Sequence, residues 1–171
     1  MFKINYIKSS FKTTPPQADF LEENFKSLSN IKIGCFDFHE KIKVTLMGSC
    51  FNFVNVTGIR SLRSLKEFYQ FYLKISKTQG VSDARIDSIS ATYRFVKKSN
   101  VSLNVFRKKL CENQLDVKDN SKFPGITVRN TVKPGGGCAV YFRSGALNFI
   151  GFKHVCDMLE MKDLISKCMY V

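Results

Sequence analysis

Phe123 and Phe142 are the side chains whose type and position point most directly to a specific chemistry. Phe123 begins a Phe-Pro-Gly turn, and Phe142 ends a strand-like run just before Arg143, Ser144 and Gly145. A large ring at such a place can protrude from a sheet instead of joining its core. Paired apolar side chains on one sheet face can be inserted between neighbouring base pairs of duplex DNA. The pattern therefore predicts a surface that wedges DNA base steps apart.

The charge of the chain fits the same partner. Its 171 residues include 27 Lys and Arg against 14 Asp and Glu, which gives a formal net charge of +13. A protein this basic is attracted to polyanions, either nucleic acid or an anionic membrane surface. An apolar fraction of 44% allows a substantial core, and the length suits one domain or two small fused ones.

Catalytic, metal-binding and membrane-spanning functions receive no support from the residue patterns. The six cysteines form no C-x-x-C pair, and only His39 and His154 could join them. We therefore predict no metal site, and reduced, mostly buried thiols in an intracellular protein. Neither histidine has a Ser, Cys or carboxylate pattern around it, so we expect no enzyme and no cofactor. No apolar run reaches the roughly 18 residues of a membrane span, and a signal peptide is not expected.

The same order of elements occurs twice along the chain. Each half is predicted to contain a strand, a helix, further strands, a glycine and a long amphipathic helix. Thr14 is the expected N-cap of the first helix, with Pro15 at its first position and Gln17 completing a capping box. The predicted strands are 3–12, 31–38, 41–47, 51–57, 86–96, 123–130, 138–143 and 146–150, and the helices are 15–28, 102–113 and one after each of Gly58 and Gly151.

Several of these segments resemble the TATA-binding protein family. Residues 123–129 resemble the F-P-G-L-I-Y-R run of its second repeat, and residues 140–145 resemble its L-I-F-x-S-G hairpin. Lys133-Pro134 resembles the Lys-Pro of its second stirrup, Asn5-Tyr6-Ile7 its first-repeat N-I-V, and Thr57-Gly58 the T-G before its long helix. The resemblance covers the whole chain and is strongest in residues 123–165.

The resemblance implies an α+β saddle of two pseudo-symmetric repeats, residues 1–82 and 83–171. They would form one curved, ten-stranded antiparallel sheet with four helices on its convex side. The implied function is a transcription initiation factor that binds and kinks promoter DNA through the minor groove and helps to assemble a transcription complex. The implied partners are double-stranded DNA, a factor similar to transcription factor IIB, and RNA polymerase, with the chain a monomer on DNA.

The brevity of the chain and its divergence from the family predict a large DNA virus or a divergent eukaryote as the source. The expected location is then the nucleus, or the cytoplasmic factory of a virus.

The family's register also implies which side chains face DNA. Phe123 and Phe142 are the second-half wedges, and Ile31 and Leu46 are their first-half counterparts. Because the first-half hairpin is longer, Phe51 or Phe53 could replace them. The remaining implied DNA-facing or phosphate-contacting residues are Asn5, Thr57, Asn55, Ser88, Val140, Asn148, Ile150, Arg129 and Arg143, with Ile7, Ser9, Ile33 and Val44 on the same face. Val54, Val56, Leu147 and Phe149 are expected to pack on the helices.

Two asparagines suggest an altered base preference. Asn55 and Asn148 occupy positions where the family usually has Val, whereas its central Asn is kept as Asn5 and replaced by Ser88. An Asn carbonyl can accept a hydrogen bond from the guanine N2 amino group, the one minor-groove feature that separates G·C from A·T. We therefore hypothesise that G·C is tolerated or preferred near the centre of the site. A register displaced by one residue would instead make both asparagines strand-end polar residues.

Three other functions remain open from the residues. The fold could serve as a protein-interaction module of a viral transcription apparatus with weak or altered DNA specificity. It could be an accessory domain like those beside DNA glycosylases and nucleases, although two repeats leave no room for a catalytic domain. A basic membrane-surface protein would need exposed aromatic residues on an amphipathic helix, and the predicted helices face a core.

Overall fold

The computed structural model describes residues 2–97, 99–119, 124–131 and 136–170. Within these ranges the chain forms ten strands and four helices. The registered strand pairs are antiparallel. The predicted α+β class, with ten antiparallel strands and four helices, is therefore confirmed.

The chain divides into two compact units. The early unit comprises Tyr6–Asp87, and the late unit comprises Met1–Asn5 with Ser88–Val171. Strand β1 (Phe2–Lys12) therefore begins in the late unit and ends in the early one, and β6 (Ser82–Arg94) does the reverse.

In the early unit the strand order is β2-β3-β4-β5-β1-β6. The remaining elements are α1 (Ala18–Asn24), β2 (Lys26–Leu28), β3 (Ile31–Phe38), β4 (Glu40–Met47), β5 (Phe53–Ile59) and α2 (Leu62–Ser76).

In the late unit the order is β1-β6-β10-β9-β8-β7. The remaining elements are α3 (Leu103–Glu112), β7 (Leu115–Asp119), β8 (Gly125–Asn130), β9 (Cys138–Phe142), β10 (Ala146–Phe152) and α4 (Val155–Met169).

The core of each unit lies between one sheet face and the helices. In the early unit the Phe11 ring of β1 contacts the Tyr69 ring of α2, with centroids 4.8 Å apart. In the late unit Phe106 of α3 lies 4.9 Å from Tyr141 of β9. The side chains predicted to pack on the helices are at most 1% exposed, namely Val54, Val56, Leu147 and Phe149.

Helix α1 is shorter than predicted at both ends. It begins after Gln17 and not at Pro15. Pro15 is followed by a second proline, Pro16, and a residue that precedes a proline is disfavoured in the helical region. Thr14 is not its N-cap: its Oγ1 accepts the Gln79 backbone N–H at 2.9 Å. At the other end, residues 26–28 form β2, which pairs with β3.

Helices α2 and α3 begin after well-defined local signals. Gly58 has a φ of +104°, and a Cβ there would lie 2.6 Å from the Lys41 carbonyl oxygen. This residue allows the chain to leave β5 towards α2, whose N-cap Ser61 accepts the Ser64 N–H at 3.0 Å. Ser102 caps α3 in the same way.

The cysteines are less buried than predicted. Of the six, Cys168 is buried, Cys138 is half-buried, and the other four are exposed. The expectation of mostly buried thiols is therefore wrong. Cys35 alternates with buried strand neighbours, Cys50 lies in a turn, and Cys111 and Cys156 lie on exposed helix faces. No helix in the described ranges has the length and hydropathy needed to cross a bilayer.

Candidate nucleic-acid interface

Each unit has a sheet face that points away from its helices, called here its open face. In the early unit five side chains form a row across this face, because cross-strand partners share one side of a sheet. The row runs from Ser10 through Asn55, Thr45 and Ile33 to Lys26. Its members are short and polar at the β1 end and basic at the β2 end.

The late unit has a matching row on its own open face. Thr92 Oγ1 donates to Asn5 Oδ1 at 3.4 Å, and the cross-strand partners continue the row to β7. In order, the row contains Asn5, Thr92, Asn148, Val140, Thr127 and Lys118. Asn148 therefore occupies the position that Asn55 has in the early unit, and both asparagines are half-buried.

The wedge candidates lie two residues from these rows. Phe142 is two residues after Val140 on β9, so both side chains are on the open face of the late unit. The equivalent residue of the early unit is Met47, which is two residues after Thr45 on β4 and pairs with Phe53. Ile31 also lies on that face, two residues before Ile33. Phe123 and Lys133 lie outside the described residues.

Leu46 was expected on the DNA-facing side, and that orientation is wrong. It pairs with Val54 on the helix side, and its side chain is 0% exposed. Val44 is placed in the same way. The sequence contains the signal for this, since Lys41, Lys43 and Thr45 alternate with Ile42, Val44 and Leu46.

Ser9 and Ile7 also differ from the expected orientation. Ser9 Oγ is hydrogen-bonded to Tyr69 Oη of α2 at 2.5 Å, so it faces the helices. Ile7 is 0% exposed and pairs with Ile59, which is equally buried. Ile7 and Ser9 are two residues apart and therefore share one side of β1, and the register between them is irregular, since Ile7 pairs with Ile59 and Ser9 pairs with Val56.

The counterpart of Asn5 in the early unit is Asp87, not Ser88. Thr92 bonds to Asn5 in one row, and Ser10, at the equivalent position of the other row, donates to Asp87 Oδ1 at 3.1 Å. Ser88 is half-buried and precedes Ile89, whose side chain faces the core. The sequence resemblance placed the counterpart at Ser88, and the equivalence of Asp87 and Asn5 follows from their hydrogen bonds to Ser10 and Thr92.

Thr57 and Ile150 occupy equivalent open-face positions. Thr57 pairs with Lys43, and Ile150 pairs with Cys138. Ile150 is 47% exposed, which is unusual for a large apolar side chain in a sheet. The polar contact available at Thr57 is therefore absent from the late unit.

Arg129 and Arg143 lie on different sides of the late unit. Arg129 alternates with the buried Val128 and pairs with Asp116, so it is on the open face. Arg143 instead helps to line a cavity of about 270 Å³ beside Ser102, Phe106 and Tyr141. Arg143 therefore lies on the helix side, and the expectation that it faces DNA together with Arg129 is not met.

Comparison with known proteins gives one informative result. No family model and no curated protein matches the chain. A solved structure, the TATA-binding protein of Methanococcus jannaschii, is similar with a TM-score of 0.69 and 17% identity, over 97% of this chain and 98% of that chain. The fold is that of the TATA-binding protein. The neighbour is archaeal, and it lends no support to the expected viral source.

Basic side chains surround the rows on both open faces of this TATA-binding-protein fold. The exposed lysines and arginines on these faces include Lys3, Lys8, Lys26, Lys43, Arg85, Lys118 and Arg129. In the described ranges, no group of three or more His, Cys, Asp and Glu side chains could hold a metal ion. Hydrogen-bonding groups, apolar side chains and positive charge are thus the functional groups that the open faces offer to a ligand.

Proposed function

We propose that the chain is a transcription factor similar to the TATA-binding protein, and that its open faces bind the minor groove of duplex DNA. The observation that carries the proposal is the pair of matching open-face rows, each of which begins with polar side chains and ends with a lysine. The floor of the minor groove offers hydrogen-bond acceptors, which hydroxyl and amide groups can satisfy. The surrounding lysines and arginines provide attraction to phosphates without sequence preference.

The proposed factor kinks promoter DNA with apolar wedges. Phe142 and Met47 occupy equivalent open-face positions, and Phe53 lies beside Met47. Insertion of apolar side chains between base steps partly unstacks them and bends the duplex. Phe123 is proposed as the partner of Phe142. Since the late unit has a phenylalanine where the early unit has a methionine, the two kinks would differ in strength.

The proposed partners beyond DNA are a factor similar to transcription factor IIB and RNA polymerase. The basic start of α2 offers one docking candidate on the helix side. Arg63 pairs with Glu67 at 2.9 Å, and the Arg60 N–H donates to Glu40 at 2.8 Å. These contacts hold both residues near the surface, where they remain exposed to an acidic partner.

A bending assay on randomised duplex DNA tests the proposal. Fluorescence transfer between dyes at the duplex ends should show a bend with the wild-type protein and a weaker bend with Phe142→Ala. The matched control is Leu159→Ala, which removes an exposed apolar side chain from α4. Binding without bending by the wild type would favour the protein-interaction module. Normal bending by Phe142→Ala would show that the wedge is assigned to the wrong residue.

A further inference from the structure

The open face of the early unit has a charged centre that the late unit lacks. Asp87 Oδ1 accepts hydrogen bonds from Ser10 Oγ and from Arg85 Nε, both at 3.1 Å. Arg85 Nε also lies 3.1 Å from Ser10 Oγ. The Asp87 side chain is 24% exposed, and the Arg85 side chain is 68% exposed. The carboxylate is therefore held against the sheet and still reaches solvent.

The backbone around this ion pair is also anchored. Ser9 Oγ donates to the Arg85 carbonyl oxygen at 2.8 Å and is hydrogen-bonded to Tyr69 of α2. Ser10 pairs with Asn55 across β1 and β5. Asp87 of β6, Ser10 of β1 and Asn55 of β5 therefore stand side by side. The Ser9–Tyr69 hydrogen bond ties β1 to the helix layer of the same unit.

The equivalent place in the late unit is neutral. There Asn5 stands where Asp87 stands in the early unit, beside Thr92 and then Asn148. An amide presents both an acceptor and a donor, and it can rotate to offer either one. An ionised carboxylate presents acceptors alone. The two rows therefore differ in hydrogen-bonding character at one position.

We infer that Asp87 makes the early unit select a G·C base pair, whereas the late unit does not. The inference rests on the proposed binding of the minor groove. An A·T pair shows only acceptors there, and these would face the carboxylate oxygens unfavourably. A G·C pair adds the guanine N2 amino donor, which a carboxylate accepts. Because only one unit carries the acid, the preference would also fix the orientation of the protein on its site.

Arg85 makes a carboxylate compatible with a polyanionic ligand. Its guanidinium offsets the Asp87 charge at the protein surface, where an isolated carboxylate would be repelled by phosphates. The pair is already hydrogen-bonded in the free protein, so less side-chain freedom is lost on binding. The same guanidinium offers its outer N–H groups to nearby phosphates.

The test first selects bound duplexes from a random pool and then replaces each selected guanine by inosine. Inosine lacks the N2 amino group and leaves the major-groove edge of the pair unchanged. The wild type should lose affinity by about tenfold at one position, the usual order for one mismatched pair. When the same guanine is replaced by inosine, the Asp87→Asn variant should lose little affinity. Asn5→Asp should gain a second inosine-sensitive position in the other half of the site.

The control is Asp83→Asn, which removes the same charge from the same strand. Asp83 pairs with Lys12 at 2.8 Å and is well exposed. This variant should keep the full inosine effect. If the Asp87→Asn variant also keeps the full loss of affinity on inosine replacement, while it still binds and bends DNA, the inference is overturned and the proposed function stands. If the wild type binds no duplex at all, the proposed function is overturned and the inference with it.

Discussion

Leu46 of β4 lies directly opposite Val54 of β5, and both side chains are completely buried on the helix side of the sheet. The next residue, Met47, consequently points to the open face, where it pairs with Phe53. The apolar wedge expected from the early unit is therefore available from Met47 and not from Leu46. One residue along a strand thus separates a core position from a candidate DNA contact.

Leu46→Ala should destabilise the fold. Removing a fully buried leucine leaves a cavity, so the free energy of unfolding should fall by about 2–5 kcal/mol. Met47→Ala removes a half-buried side chain and should lower it by about 1 kcal/mol or less. Urea denaturation of both variants measures the difference. Equal stability of Leu46→Ala and the wild type would contradict the strand register.

Met47→Ala should mainly reduce the bending of DNA by the protein. If Met47 is a wedge, its loss should reduce the bend angle without a matching loss of stability. Met47→Phe should increase the bend, because it gives the early unit the side chain that Phe142 gives the late one. Fluorescence transfer on end-labelled duplexes measures both changes. A bend unaffected by either substitution would leave Phe142 and Phe123 as the candidate wedges.

Most of the fold was predictable because the apolar periodicity is strong. The predicted strand 31–38 agrees with β3 at both ends, and the helix predicted over 102–113 corresponds to α3, Leu103–Glu112. Strands β2 and β7 were not predicted from the residues. Both lie at an end of their unit's strand order and each has one neighbour, and β2 has only three residues. A strand this short carries too little periodicity to be distinguished from the helix before it.

The candidate site was predictable only where strand alternation and family register agree. Asn55 and Asn148 satisfy both, and the structure places them at equivalent positions. For Leu46 the two criteria disagree. The family register places it on the DNA-facing side, whereas strand alternation places it on the helix side, where the structure has it. Asp87 has no precedent in either pattern, because its role depends on hydrogen bonds to Ser10 and Arg85 across neighbouring strands. Such contacts appear only in three dimensions.

Tyr72→Phe should stabilise the early unit. The Tyr72 side chain is completely buried, and its hydroxyl has no hydrogen-bond partner among the described residues. A buried hydroxyl without a partner costs about 1–3 kcal/mol, so its removal should raise the free energy of unfolding by about 1 kcal/mol. Phe11 and Phe20, whose rings lie 5.7 and 6.1 Å away, would retain their contacts. Urea denaturation at neutral pH measures the change.

The same residue should make stability sensitive to alkali. Burial raises the pKa of Tyr72 well above its ordinary value of 10.0. Below pH 10 the folded and unfolded chains both keep the proton, so this residue adds no pH dependence. Above pH 10 the unfolded chain releases it first, and stability should fall by about 1.4 kcal/mol per pH unit from this group. Tyr72→Phe should show a shallower decline between pH 10 and 11, and parallel curves for the two proteins would contradict the burial of the hydroxyl.

Arg129→Ala should reduce the salt dependence of DNA binding. The proposed phosphate contact releases counterions, so the slope of log affinity against log salt should become less steep by about 0.9. Arg63→Ala is the matched control, because Arg63 lies on α2 and pairs with Glu67. Titrations of the same duplex at several salt concentrations measure the slopes. Equal slopes for the wild type and Arg129→Ala would exclude a phosphate contact by Arg129.

Asn148→Val should narrow the base preference of the late unit. Asn148 lies half-buried between Thr92 and Val140, so its amide is on the open face together with these neighbours. An amide can accept from guanine N2 or donate to an A·T acceptor, whereas Val offers neither and leaves the guanine amino group without a partner. The variant should therefore lose about tenfold more affinity than the wild type when A·T is replaced by G·C at the contacted pair. Competition between paired duplexes measures this ratio, and replacement by inosine·cytosine should abolish the extra loss. An unchanged ratio would mean that Asn148 does not read the base, and that the polar row contributes affinity alone.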